Sequence, residues 1–409
     1  MTRRRAAAWI ALACVVPRLA VVLYERGDTL ARFTEKSDDF ARAFVATGVF
    51  GMVPGVPSAY TQPLYGWFLI PLYWIFGRAW LAVGIAQIVV ALATALLVYE
   101  LGRRYVSPRA GLLAALISTL NPYLVWHDVH VNREILDQVV GAALLLAVLL
   151  AAERRSLELC VAAGALAGLA ILGNTRLTAL PLALAVYLLV RHVPALAVGA
   201  FLVAAVLMLV PWVVRNRVSV GCFALTTDGR ALWKANNAQT YSLLTHGKWI
   251  DDVRRIPHSE YNPEEALALY HQTGRVYRPN ECAQMRFYQH LVWQFWRKHP
   301  GEKAKLTQLG VRMLWDPRTT KTVGRNAGGG LDRAREIVQP LYTVPLFLLA
   351  ALGLFLVRRP VAALFAIVLG YQTLAAMLFV GATRYRVPTD FVLALLAAAA
   401  LTRWKPLRE

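Results

Sequence analysis

Apolar residues run in blocks along this chain, and short polar stretches punctuate them. The blocks predict helices over 8–24, 80–100, 110–126, 135–152, 157–172, 177–191, 194–214, 340–357, 361–380 and 388–402. Each has roughly 15–21 residues, against the roughly 20 that a hydrocarbon core ~30 Å thick requires. A helical protein that crosses the membrane many times is the class that satisfies every backbone group in such runs. The expected fold is therefore all-α with about ten transmembrane helices. One further apolar block, 63–77 (PLYGWFLIPLYWIFG), would be only about 22 Å long as a helix. Its Trp and Tyr content suits the headgroup level, so an interfacial or re-entrant helix is expected there.

Arginine placement gives the topology, because short loops rich in Lys and Arg stay cytoplasmic. Residues 1–5, GRRYVSPR (102–109), Arg154-Arg155, Arg191-His192, Arg358-Arg359 and the tail 403–409 all fall on one side of a ten-span arrangement. The other side receives 25–79, 127–134, 173–176, 215–339 and 381–387. The N-terminal RRR followed by an apolar run resembles a signal peptide, but without a small-residue cleavage site it is expected to stay as the first helix. The chain then divides into three parts: an N-terminal membrane module over 1–214 with first outer loop 25–79, an extracytoplasmic helical domain over 215–339, and C-terminal helices with a cytoplasmic tail over 340–409. In the outer domain, Asn262-Pro263-Glu264-Glu265 is a helix start and Gly274 a stop. A second amphipathic run covers 281–299 up to Pro300, and a third reaches Trp315. Gly328-Gly329-Gly330 is expected to act as a hinge.

Composition adds constraints. The 409 residues are 57% hydrophobic and 17% charged, which excludes a soluble protein. The net charge of +20 is spread between spans rather than gathered on one domain, so no nucleic-acid partner is expected. Of four cysteines, Cys14 and Cys160 lie in spans, and Cys222 and Cys282 are placed to pair if their domain is extracytoplasmic.

The outward segments collect an unusual set of ionisable residues. The first loop holds Glu35, Asp38 and Asp39; the second holds His127, Asp128, His130 and Glu134. Arg176, Arg215, Arg384 and Arg386 lie in the later outward segments, and Arg18 sits toward the outer end of the first helix. Ionisable groups at membrane depth are costly and point to function. Together they suit transfer from a lipid phosphate, in which a carboxylate takes a proton from the acceptor and guanidinium forks hold the phosphate. Each has a plainer reading. Asp38 and Asp39 read equally as a helix N-cap with a first-turn acid. Asp128 and Glu134 read as partners of loop arginines such as Arg133. His127 and His130 read as exposed loop histidines, since two without a further ligand make a weak metal site. Arg18, Arg384 and Arg386 read as snorkelling anchors.

An ordered series of motifs resembles the GT-C-fold membrane glycosyltransferases, in the bacterial branch related to protein O-mannosyltransferases and the lipid A aminoarabinose transferase. SDDFARAFVATGVF (37–50) resembles their acidic first outer loop, and PSAYTQPLYGWFLIPLYWIFG (57–77) the proline-tyrosine stretch after it. The Glu134 segment resembles the acid that opens a later helix. PWVVRN with GCFALTTDGRALWKANN (221–237) resembles a helix end followed by a paired-asparagine loop, and RYRVPTDFVLALLA (384–397) the arginine-tyrosine motif of the last helix. The resemblance implies an inverting transferase in the bacterial plasma membrane, with its site facing outward. The donor would be a sugar on polyprenyl phosphate and the acceptor an extracytoplasmic lipid, glycan or protein. Asp38 or Asp39 would be the general base, with Glu134 a second acid. Arg384, Arg386, Arg215 and Arg18 would bind the donor phosphate. Tyr60, Asp128, Arg176, Asn236 and Asn237 would contact substrate, although a structural turn reads equally well for the asparagines. No cofactor is implied with certainty; a divalent metal stays open. Two alternatives remain, a lipid-linked-glycan flippase or transporter, and a polysaccharide ligase or polymerase. The near absence of charge within the spans favours a surface site over a transport path.

Overall fold

The structure is a computed structural model, and it describes residues 2–31, 35–256, 259–318 and 330–403, with backbone only for 330–335. Among the described residues the chain is helical, with no strand. Among the described residues seven helices are long and apolar enough to cross a membrane: Arg3–Glu25, Trp80–Tyr105, Glu134–Arg154, Ala195–Ser219, Glu336–Leu356, Arg359–Leu378 and Thr383–Arg403. Pro63–Phe76, Leu157–Gly173 and Thr175–Val190 are shorter apolar helices.

One expected span is corrected. Residues 110–126 form two helices, Pro108–Thr119 and Pro122–His127, with a break at Leu120-Asn121. The residue before a proline is driven out of the α region, and the Asn121 side chain accepts from the Tyr123 N–H to start the second helix.

At the centre lies Asp390–Arg403, whose FVLALLAAAA run is buried almost throughout. Small side chains let neighbouring backbones approach closely. Beside it, a Cβ on Gly353 would come within 1.9 Å of the Leu396 carbonyl oxygen, so only glycine fits there. The bundle has two chemically distinct ends. At one, Arg3, Glu100, Arg103, Arg104 and Glu153 gather, and Arg403 donates to the carbonyls of Leu356 and Val106. The carboxylates of the first loop, Glu134 and Arg384 meet at the other. The Pro63–Phe76 helix has both flanks tied to this second end, through Gln62 to Thr175 and through Arg78 to Asp38.

Five shorter helices cover the second end: Gly229–Lys234, Thr240–Thr245, Pro263–Thr273, Glu281–Lys298 and Pro300–Leu314. The expected start at Asn262 is a capping box with Glu265, and Gly274 ends that helix at φ +69°. A Cys222–Cys282 disulfide, with Cα atoms 6.0 Å apart, joins the stretch after Ala195–Ser219 to the start of Glu281–Lys298. The expected glycine hinge at 328–330 lies outside the fully described residues, as does the end of the tail.

Candidate active site

The acid pair sits on the Lys36–Thr47 helix. Glu35 holds the N-cap position, so Asp38 and Asp39 lie inside the first turn rather than capping it. There the helix dipole favours negative charge. Successive helical residues point about 100° apart, and the two acids accordingly meet different surroundings. Asp38 is buried. Its Oδ1 accepts from the Tyr73 hydroxyl at 2.5 Å and from Arg78 Nε at 3.0 Å, and its Oδ2 accepts from Arg78 Nη2 at 2.9 Å. Asp39 is half-buried, 3.6 Å from Arg42. Burial, and then the Asp38 charge, push its carboxyl above the usual carboxylate range.

Glu35 shares the Asp38 face, three residues away, and leads to a cluster of arginines. Its carboxylate lies 3.4 Å from Arg133, and Arg133 also donates to Gln62. Glu134 opens its helix with a carboxylate that is almost wholly buried. Oε1 accepts from Arg384 Nε at 3.1 Å, while Oε2 lies 3.6 Å from His127 Nε2. Tyr385 carries two cations: the Arg176 guanidinium is 3.5 Å from its ring centroid and that of Arg384 5.1 Å. Among the described residues Arg176 has no carboxylate partner; its other face meets Phe379. A cation held by aromatic faces and not neutralised by an acid is available to an anion, and Arg176 is such a cation.

The remaining expected residues lie elsewhere, engaged with protein groups. Arg18 is sealed in an ion pair with Asp128 at 2.7 Å, and its Nη1 donates to Thr119. Arg386 pairs with Asp390 and donates to the carbonyls of Leu314 and Asp316. Arg215 braces the first loop through the carbonyls of Ser58 and Phe50. It edges a groove of about 680 Å³ lined by Phe44, Trp67 and Trp212. Tyr60 is buried beneath Lys36, whose amine sits 4.2 Å above its ring. Asn236 Oδ1 accepts from Trp296 and Lys303, and Asn237 Oδ1 accepts from the Gln239 N–H, so both shape their turn. His127 and His130, expected to be exposed, are buried. Among the described residues no group of three His, Cys, Asp or Glu is placed to hold a metal ion.

Sequence reasoning missed Arg78, Tyr73, Gln62 and Tyr385, and it named Glu35 and Arg133 without assigning them to the site. Arg133 stands directly before Glu134, and Tyr385 lies between two arginines; those were the available signals. Nothing local to Arg78 announces Asp38 as its partner.

Residues 57–214 match the family model described as dolichyl-phosphate-mannose-protein mannosyltransferase. That stretch carries the proline-tyrosine motif, Glu134, Arg176 and the Pro-Trp pair at 211–212, and over it the chain is similar to that family. No curated protein sequence matches. Among solved structures, the chain is similar to ArnT from Cupriavidus metallidurans bound to undecaprenyl phosphate. The identity is 18% and the TM-score 0.45, covering 97% of this chain and 78% of that one. It is also similar to the archaeal oligosaccharyltransferase AglB from Archaeoglobus fulgidus, in complex with an inhibitory peptide and a dolichol-phosphate, at 15% identity and TM-score 0.49. That likeness covers 96% of this chain and 50% of AglB.

Proposed function

We propose that this chain is a membrane glycosyltransferase that moves a sugar from a polyprenyl phosphate to an extracytoplasmic acceptor, with inversion. The observation that carries the reading is the pair of guanidiniums on Tyr385, one of them bonded to the buried carboxylate of Glu134. The mannosyltransferase match over 57–214, a family described by its dolichyl-phosphate donor, supports the same chemistry.

In this reading Arg384 and Arg176 hold the donor phosphate, with Arg133 behind them. Asp38 is the base, because it shares the helical face of Glu35 that leads to the arginines. Tyr73 and Arg78 fix its carboxylate, and among the described residues Oδ2 accepts a single hydrogen bond. A lone pair is left for the acceptor hydroxyl. That hydroxyl gives its proton to Asp38 as its oxygen bonds to the anomeric carbon, on the face opposite the phosphate. The anomeric carbon–oxygen bond breaks, and the polyprenyl phosphate leaves with the electron pair, its charge met by the guanidiniums. The Cys222–Cys282 bond supports an oxidising compartment for the covering helices.

Transfer from a labelled polyprenyl-phosphate sugar, assayed in membranes, tests the assignment. Arg384→Ala and Arg176→Ala should each raise the donor KM by about 10- to 100-fold, since a charged hydrogen bond is worth about 1.5–3 kcal/mol. The acceptor KM should stay near its wild-type value. Unchanged donor dependence in both variants would remove these arginines from the phosphate.

A further inference from the structure

Two buried polar atoms at this site face each other without bonding. Glu134 Oε2 and His127 Nε2 are 3.6 Å apart, beyond hydrogen-bond reach. Neither has any other hydrogen-bond partner among the described residues. The two side chains are 2% and 8% exposed. Leaving such atoms unpaired is unfavourable, because each has given up its water partners without a replacement. Complementary orphans side by side, less than an ångström too far apart, mark a second arrangement close at hand.

Arg384 donates to the other oxygen of the same carboxylate, Oε1, at 3.1 Å, and so helps set its orientation. Arg384 is the exposed member of the pair, at 31% against 2%. An anion that engages Arg384 draws the counter-charge from a carboxylate that cannot reach water. Of the groups around Glu134, Arg133 lies 3.4 Å from Glu35 and donates to Gln62, while its buried Nε makes no hydrogen bond among the described residues. Asp137, one turn on, accepts from Asn174 and has the wrong sign. His127 is the group that can replace the lost charge.

We propose that Glu134 is a two-position switch, paired with Arg384 in the empty site and with His127 when a phosphodiester occupies Arg384, so that phosphodiester binding takes up one proton at His127. The inference rests on the proposed lipid-phosphate function. Its balance is simple. One proton passes from solution to the imidazole, and no covalent bond to carbon or phosphorus changes. Arg384 neutralises the phosphodiester, the imidazolium neutralises Glu134, and the net charge of the site stays constant. The other charged or titratable groups facing this corner keep their partners. Tyr123 packs against His127 from its own helix, with ring centroids 4.8 Å apart and the planes tilted by 42°. Asp128 stays with Arg18, and His130 Nδ1 stays against the Trp126 carbonyl. Glu35 stays with Arg133, while Arg176 and Tyr385 remain stacked. His127 touches neither donor nor acceptor, so it is a positioning residue.

The test uses the full chain in detergent micelles and a polyprenyl methyl phosphate, a non-transferable phosphodiester of constant charge between about pH 5 and 9. Binding is read by tryptophan fluorescence from pH 6 to 8.5. Linkage of one proton should weaken wild-type affinity toward tenfold per pH unit at the upper end of the range. His127→Gln should bind with a flat profile. Glu134→Gln should also be flat, and tighter, because Arg384 is unmasked; it carries the test if the His127 variant does not fold. Polyprenol and dimethyl phosphate, run separately, distinguish the chain from the headgroup, and only the intact lipid phosphodiester should show the full pH dependence. Wild-type binding without a pH slope, or a wild-type slope in His127→Gln, would overturn the switch. No binding by the wild type at any pH would instead overturn the lipid-phosphate reading, and the switch with it.

Discussion

Asp38 and Asp39 are neighbours in sequence, but the helix turns them into different environments. Asp38 is locked by three hydrogen bonds on the face that leads through Glu35 to the arginines. Asp39 faces Arg42 and the field of His271, away from that cluster. Asp38→Asn keeps the shape and removes the proton acceptor, so transfer should fall by the ~10²–10⁴-fold typical of a lost general base. Asp39→Asn should stay within about tenfold of wild type, well short of that loss. Single-turnover transfer in membranes, with insertion checked by detergent extraction, measures both. The reverse order of effects would move the base to Asp39. The sequence alone left the two equivalent, because a doublet carries no information about which helical face will be buried. The same limit applied to the arginines. Arg18, Arg384 and Arg386 all stand at helix ends in the sequence. Only packing shows that Arg18 and Arg386 are sealed against buried aspartates while Arg384, partly exposed, meets Glu134.

Among elements, local signals were reliable where the chemistry is local. Asn262-Pro263-Glu264-Glu265 became a capping box, and Gly274 took the left-handed conformation that ends a helix. The block at 110–126 misled because hydropathy counts Asn121 as one polar residue in an apolar run, whereas Asn-Pro breaks the backbone. The covering helices depend on contacts that no local pattern shows. Lys303 Nζ donates to Asn236 Oδ1 at 2.7 Å and to the Met377 carbonyl at 2.8 Å, which ties Pro300–Leu314 to the end of Arg359–Leu378. Burial pulls this amine down from its ordinary 10.5 to about 8. The folded value lies below the unfolded one, so between about pH 8 and 10.5 the unfolded chain binds more protons. Stability from this group therefore rises with pH across that window. Below pH 8 the cost of burying the ammonium is present in full. The difference in thermal unfolding midpoint between wild type and Lys303→Met should shift in favour of wild type from about pH 7.5 to 9.5, measured in the same detergent. A difference constant with pH would mean that the amine is solvated or compensated.

At the scale of the whole molecule, charge divides the bundle. Arg103, Arg104 and Arg403 gather at one end, and the proposed site and the disulfide-tied helices occupy the other. The proposed orientation follows, since arginine-rich short loops stay in the cytoplasm and a disulfide persists outside it. The short Pro63–Phe76 helix is the critical element, because counting it as a crossing reverses every loop after it. Its 14 residues reach only about 21 Å, and Gln62 and Arg78 on its two flanks both bond at the site end. A helix that begins and finishes at one end leaves the later loops on their original sides. Cysteines placed at Arg109 and Lys248 should therefore react with a membrane-impermeant maleimide from opposite sides, position 248 in intact cells and position 109 after lysis. Both positions are exposed, and the native thiols Cys14 and Cys160 are buried, so background labelling should be low. Both positions follow the short helix, so reaction of position 109 in intact cells and of position 248 only after lysis would mean that it crosses after all. The arginine end would then face outward and the disulfide-tied helices inward, and the charge rule would fail for this chain.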